Sequence, residues 1–283
     1  MGEDVVGGGY FAVTSGLGDR FPGRIIDTPI SEYAIGGGAV GAAMCGRRPI
    51  AEILFSDFLT TVMDPIVNQA AKLRLMSGGQ YSVPMVIRTP GGAGLGMAAQ
   101  HSQSLEALLT GIPGLIIIAP SSPFDAKGLL KAAIRSNNPV IFFENKLLYL
   151  EVGEIPEGEF LVPIGEAAVK RSGKDVTVVA VGGMVPLALE SAETLAGEGI
   201  DVEVIDPRTL VPLDVATIVD SVSTTRRLVT VEEAALNHGL GGEIVARIAE
   251  IDPRMLEAPV RRVRVVSSTP IVARRIVWKS TAP

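Results

Sequence analysis

Leu115-Ile116-Ile117-Ile118-Ala119-Pro120, Asp125-Ala126-Lys127-Gly128-Leu129-Leu130-Lys131-Ala132-Ala133-Ile134-Arg135 and Val140-Ile141-Phe142-Phe143-Glu144-Asn145 decide the fold between them. The outer two are short, continuous apolar runs, the pattern of strands covered on both faces in a parallel sheet. The middle one fills the gap as a helix. Strand, helix and strand in that spacing make the repeating unit of a layered α/β fold. Working outward, Arg48 to Leu54 and Val83 to Thr89 read as two more buried strands. Pro65 to Met76 reads as the helix between them, with Asp64 as cap, Pro65 first, and Ile66, Val67, Ala70 and Leu73 on one face. Ser104 to Leu109 fills the next gap as a helix.

After Asn145 the rhythm breaks. Residues 151–163 are acidic and hold Pro156, Gly158 and Pro163, which reads as an interdomain linker. A second series follows, with strands expected at Val176 to Val181, Val202 to Ile205, Leu228 to Glu232 and Val263 to Val266. Helices are expected at Val185 to Gly197, Asp214 to Val222 and Gly241 to Glu250. The chain's 283 residues exceed what one core usually organises. Two tandem α/β domains, 1–150 and 164–283, are therefore expected, and such a fold names no function by itself.

Composition narrows the classes. Apolar residues make up 47% and aromatics only 5%, with 32 glycines, which suits closely packed α/β layers. The net charge of −6 comes from interspersed acids and bases, so nucleic acid and anionic membranes are not expected partners. The longest apolar runs are strand-sized, too short to span a bilayer. Met1-Gly2-Glu3-Asp4 lacks the features of a signal peptide. A cytoplasmic protein is expected, or one of the mitochondrial matrix or plastid in a eukaryote. Cys45 is the single cysteine, so no internal disulfide forms; in the small-residue run Ala39 to Cys45 it reads as a buried, inert thiol. Two histidines exclude a three-histidine metal centre. Gly91-Gly92-Ala93-Gly94-Leu95-Gly96 follows a strand, but no helix opens after it and no acidic residue follows about 20 positions on. It reads as a flexible loop bordering a site.

Three features remain. Asp27-Thr28-Pro29-Ile30-Ser31-Glu32 puts a carboxylate where the edge of a sheet meets a glycine-rich helix start at Gly36-Gly37-Gly38; Glu32 reads either as a site residue or as a helix-capping acid. His101 ends the glycine loop in Ala99-Gln100-His101-Ser102-Gln103, as a functional histidine or an ordinary loop residue. Phe58, in Phe55-Ser56-Asp57-Phe58, either faces a ring or packs in the core.

The order of these pieces is itself informative. Arg24 to Glu32, Ala39 to Met44, Arg48-Pro49-Ile50, Asn68 to Lys72, Ala99 to Gln103, Asp125 to Leu129 and Asn138-Pro139-Val140 occur in succession, followed by Ile205 to Asp214 and Thr230-Val231-Glu232-Glu233. In that order the chain, over residues 2–266, closely resembles the beta subunit of the thiamine-diphosphate-dependent decarboxylase component of 2-oxo acid dehydrogenase complexes.

The resemblance implies a transketolase-like pyrimidine-binding domain followed by a transketolase C-terminal domain. It also implies an alpha subunit in an alpha2-beta2 heterotetramer, which holds magnesium and the cofactor's diphosphate. Consistent with that division, Asn137-Asn138 is not preceded by Gly-Asp-Gly, so the pair is not half of a magnesium site. Glu32 matches the glutamate that hydrogen-bonds the cofactor's aminopyrimidine ring. Phe58 matches its stacking aromatic, and Ile30 and Leu54 its apolar contacts. His101 matches the histidine that orients substrate or the incoming lipoyl group. A structural potassium ion is implied on the carbonyls of Met85, Ala133, Ile134, Ser136 and Asn138. Arg208 is expected to be a structural anchor between domains, and His238 a loop or interface residue. Acyl transfer would run to a lipoyl-bearing acyltransferase core. Pyruvate is the expected substrate, with branched 2-oxo acids open and acetoin the alternative; a truncated, non-catalytic partner-binding subunit is the reading from another class. Family members normally begin earlier, with a helix and first strand, so a misassigned start or fragment is expected. Residues 273–283 lack the usual Pro-rich, acidic continuation.

Overall fold

The computed structural model describes residues 1–264. Its first sheet holds β1 (Ile50–Glu52), β2 (Val86–Gly91), β3 (Ile116–Ile118) and β4 (Val140–Asn145), all parallel, in the order β1-β2-β4-β3. Every residue of β2 is buried, as its unbroken apolar run before Arg88 requires of a central strand. Helices α1 (Leu17–Arg20), α2 (Glu32–Met44), α3 (Leu73–Met76), α4 (Glu106–Thr110) and α5 (Pro123–Arg135) belong to this half. Residues 151–167 carry neither helix nor strand, and Val162 within them is buried against Gly128 of α5.

The second half contributes β5 (Ala168–Arg171), β6 (Val176–Ala180), β7 (Val202–Asp206), β8 (Thr209–Val211), β9 (Leu228–Glu232) and β10 (Arg261–Arg264), with α6 (Met184–Ala196), α7 (Val215–Thr225) and α8 (Leu240–Ile251). Its sheet runs β10-β9-β6-β7-β5, with β5 antiparallel at the edge. Strand β8 does not join it. The chain leaves β7, turns, and pairs antiparallel with β3 of the first sheet, Ile117 opposite Val211 and Ile118 opposite Thr209.

Arg208, in that turn, has φ +58 and is the anchor the sequence suggested. Its Nε lies 3.0 Å from Oδ1 of the fully buried Asp125, which also pairs with Lys170 of β5. Beside it, Asp206 accepts from the Arg208 backbone N–H at 2.8 Å and from Ser121 Oγ. Burial pushes the Asp206 carboxyl up to about 6, against the pull of Ser121 and Lys170.

Four expectations need correction. The helix from Pro65 to Met76 is broken: a π-helical turn spans Asp64–Ala70, and regular helix resumes only at Leu73. The loop before β3 causes this, since Gly114 lies so close to the Ala71 carbonyl that any side chain would overlap it, and Lys72 Nζ donates to Pro113 O at 2.6 Å. Helix α2 begins at Glu32, so the glycine run lies inside it; Gly36 is needed there because a Cβ would overlap Val62. Cys45 is exposed rather than buried. Past Glu32 and Tyr33, helix α2 is apolar on every side, so its sequence shows no face from which burial could be read. The short β5 and β8 were not expected at all. Val265 and Val266 of the expected last strand, Thr269 to Ile271, and residues 273–283 lie outside the described residues.

Candidate active site

The site builds from the carboxyl ends of β1 and β2, where α/β folds gather ligands. Past β1 the chain runs through Leu54 and Phe55 into a 3₁₀ segment, Ser56–Val62. Past β2 it enters the glycine loop, with φ of +87, +104 and +68 at Gly92, Gly94 and Gly96, values an L side chain rarely adopts. The loop ends in a 3₁₀ turn, Ala99–His101. Gln103 ties the two segments together. Its Nε2 donates to Asp57 Oδ1 at 2.7 Å, and its carbonyl accepts from Gly92 N at 3.0 Å and Ser56 Oγ at 3.2 Å.

The structure therefore brings His101 and Phe58 together: the imidazole stands edge-on to Phe55 at 4.7 Å and to Phe58 at 5.4 Å between ring centres. Leu54 and Phe58 are both half-buried. Glu32 opens α2, the helix that packs on this 3₁₀ segment through Gly36 and Val62. Its carboxylate is half-buried, in the first helical turn, where the helix dipole favours a negative charge. It lies near Glu3, whose carboxyl is held up by burial, then by Asp4 and Glu32. Ile30, just before α2, is 74% exposed among the described residues. Among the described residues, buried Asp57 Oδ2 also has no hydrogen-bond partner. A carboxylate at the start of α2 and a histidine edge-on to Phe55 and Phe58 are residue types that suit a flat heteroaromatic ring with a ring nitrogen.

The other marked residues lie elsewhere. Asn137 Oδ1 accepts from Arg48 Nη2 at 2.5 Å, and Asn138 Oδ1 from Arg74 Nη1 at 3.2 Å. Of the five carbonyls marked for potassium, Ile134 and Ser136 converge on Arg48 Nη1, at 3.0 and 2.6 Å. Met85 O accepts from Val140 N at 2.9 Å, Ala133 O from Ser136 N at 3.1 Å, and Asn138 O from Ser136 Oγ at 3.3 Å. His238 is exposed in the turn before α8, with φ +63.

Sequence reasoning missed a buried ionic group beneath the site. Arg88 donates to Glu52 at 2.7 Å and, through two nitrogens, to Glu144 at 2.8 and 2.6 Å; Tyr149 adds a 2.6 Å bond to Glu144. Burial raises the Glu52 carboxyl, with Arg88 opposing. Burial also works against the Arg88 charge, but Glu144 and then Glu52 more than offset it. Phe11, against Tyr149 at 5.0 Å and Phe55 at 5.8 Å, closes this side with Tyr10. The only signal was three charged residues inside apolar strand runs, which a single strand read alone does not pair.

Two domain families match the chain: the transketolase pyrimidine binding domain over residues 1–151 and the transketolase C-terminal domain over residues 165–277. The chain is 51% identical over 261 residues to the acetoin:2,6-dichlorophenolindophenol oxidoreductase subunit beta of Cupriavidus necator, covering 88% of this chain and 77% of that one. It is 47% identical over 271 residues to the mitochondrial pyruvate dehydrogenase E1 component subunit beta-2 of Oryza sativa subsp. japonica, covering 93% and 72%. It is 45% identical over 265 residues to the 2-oxoisovalerate dehydrogenase subunit beta of Bacillus subtilis, covering 93% and 81%. Among solved structures, a split gene transketolase described as an inactive beta4 tetramer aligns with TM-score 0.76 and 28% identity, over 90% of this chain and 79% of that one. The chain thus belongs to the transketolase-like family, in its branch of dehydrogenase beta subunits, a family that uses thiamine diphosphate. No helix among the described residues is long and apolar enough to cross a membrane.

Proposed function

We propose that the chain is the beta subunit of a heterotetrameric, thiamine-diphosphate-dependent 2-oxo acid dehydrogenase, working on pyruvate in the cytoplasm and passing the acyl group to a lipoyl-bearing acyltransferase core. What supports this is the contact of His101 with Phe58 beside the 3₁₀ segment on which α2, opened by Glu32, packs, together with the exposure of Ile30 among the described residues. An alpha subunit completes the site and holds magnesium and diphosphate. Bound thiamine diphosphate supplies the electron sink for losing carbon dioxide. Glu32 would share a proton with the aminopyrimidine ring nitrogen. Phe58 stacks on the pyrimidine, Ile30 and Leu54 wall it, and His101 orients the substrate or the lipoyl end. The carbonyls of Met85, Ala133, Ile134, Ser136 and Asn138 form the proposed potassium site, and the ion would have to displace Arg48 from two of them.

Acetoin is the second reading for the substrate, favoured by the 51% identity to an acetoin-oxidising relative. Co-expression with an alpha subunit, and turnover assays with pyruvate, branched 2-oxo acids and acetoin, tests both. Thiamine-diphosphate-dependent turnover of pyruvate is the expected result. Turnover of acetoin alone would replace the first reading by the second. A chain that binds no cofactor with any alpha subunit would be a non-catalytic partner-binding subunit instead.

A further inference from the structure

Lys146 follows β4 directly and is 2% exposed, so an ammonium group sits inside the protein. A buried charge destabilises unless it is paired or hydrogen-bonded. Here the ammonium donates to the backbone carbonyl of His101 and lies 5.1 Å from the centre of the Phe55 ring. Burial lowers its pKa, while Asp57 and Glu233 act to keep it charged.

Lys146 is itself held from the second sheet. Asn145 caps the 3₁₀ turn Lys146–Leu150, its Oδ1 accepting from Leu147 N at 3.0 Å. Asn145 Nδ2 donates at 2.6 Å to Oε2 of Glu233, the residue just past β9. Gly183, at the start of α6, presses on the same amide; a Cβ there would come within 2.5 Å of Nδ2. Glu233 Oε1 also accepts from Ala93 N, at 3.4 Å, in the glycine loop. At Gly92 a Cβ would lie 2.7 Å from Asn145 Nδ2 and 2.8 Å from Glu233 Oε2, so the loop passes hard against this pair. The loop is gripped near its start by Glu233 and at its end by Lys146.

We propose that Lys146 is a positioning residue for His101: its buried ammonium fixes the His101 carbonyl, and thereby the imidazole against Phe55 and Phe58, while Asn145 and Glu233 hold Lys146 in register. This rests on the reading that His101 faces the substrate or lipoyl end.

The test uses the assembled enzyme with thiamine diphosphate bound. Hydrogen exchange over residues 91–103 is compared between wild type and Lys146→Met, with β2 and β4 as internal references. The expected result is exchange about 10-fold faster in that loop and unchanged in the two strands. Turnover is then compared among Lys146→Met, His101→Ala and the double variant. Each single change is expected to lower kcat about 10-fold or more, and the double variant to fall within about 2-fold of His101→Ala, because the lysine acts through the histidine. A merely structural role would multiply the two losses. Lys146→Leu, which likewise has no donor, replaces Lys146→Met in both arms if the latter does not assemble. Unchanged loop exchange, or losses that multiply, overturns the proposal. Wild-type turnover in His101→Ala would overturn the reading of His101 instead, and the exchange result would still decide whether Lys146 holds the loop.

Discussion

Replacing Arg88 with methionine keeps most of the stem and removes the charge between Glu52 and Glu144. Those side chains are 8% and 12% exposed and the Arg88 side chain 6%, so water cannot take over the lost contacts. At 2.7 Å, a pair of unit charges in a medium of effective dielectric about 20 attracts by about 6 kcal/mol, most of it offset by desolvation. What the substitution exposes is the other side of that balance: two buried carboxylates facing each other without a cation. Removing one partner of a buried ion pair costs about 3–5 kcal/mol, and that is the expected loss at about pH 8. Burial already lifts Glu52 in the intact protein, and without Arg88 its folded pKa rises further. A carboxyl that titrates higher in the folded than in the unfolded chain binds its proton more tightly when folded. Its stabilising effect is therefore complete below the unfolded value and is lost as pH rises through the folded one. The variant's deficit against wild type should accordingly shrink towards about pH 5, where one carboxyl takes up a proton and donates to the other. Urea unfolding of both proteins at the two pH values, at fixed subunit concentration, measures this. A deficit below about 1 kcal/mol, or one equal at both pH values, would refute the account of the buried network.

Glu32→Ala should leave folding nearly intact, losing about 0.3–1 kcal/mol of helix-terminus stabilisation, while lowering turnover about 100-fold or more; full turnover would remove Glu32 from the site. Gly36→Ala gains about 1 kcal/mol of helix propensity but drives a methyl into fully buried Val62, for a net loss of about 1–2 kcal/mol in denaturant unfolding. Asp206, pushed up to about 6 from 3.8, stabilises most below its unfolded pKa, and that stabilisation fades as pH rises through about 6. Asp206→Asn should therefore flatten the stability profile between those values, a change of about 3 kcal/mol across the window; an unaltered slope would show that another group sets it.

The central strands of both sheets were legible because a strand buried on both faces must be apolar along its length, and β4 and β9 match their apolar runs end to end. Strands β5 and β8 were not, since each is short and their pairing depends on partners distant in sequence. Helix α2 hid its own orientation: past Glu32 and Tyr33 it is apolar all round, so nothing marked Cys45 at its end as facing water. Glu32, Phe58 and His101 could be picked out by their ordered company, but not the edge-on contact of His101 with Phe58. Lys146 was invisible as a site residue, because a lysine after a strand usually points to solvent, and the Phe55 ring and the end of the glycine loop that meet it come from elsewhere in the chain.

The crossing of β8 to the first sheet also has a consequence in time. During synthesis β3 emerges with one edge bare, and the strand that covers it, Thr209–Val211, follows about ninety residues later. At ribosomal rates of about 5–20 residues per second, that edge waits roughly 5–20 s for its neighbour. For that interval the nascent first half offers an open template to any passing strand, and its closure is timed by the translation of the second half.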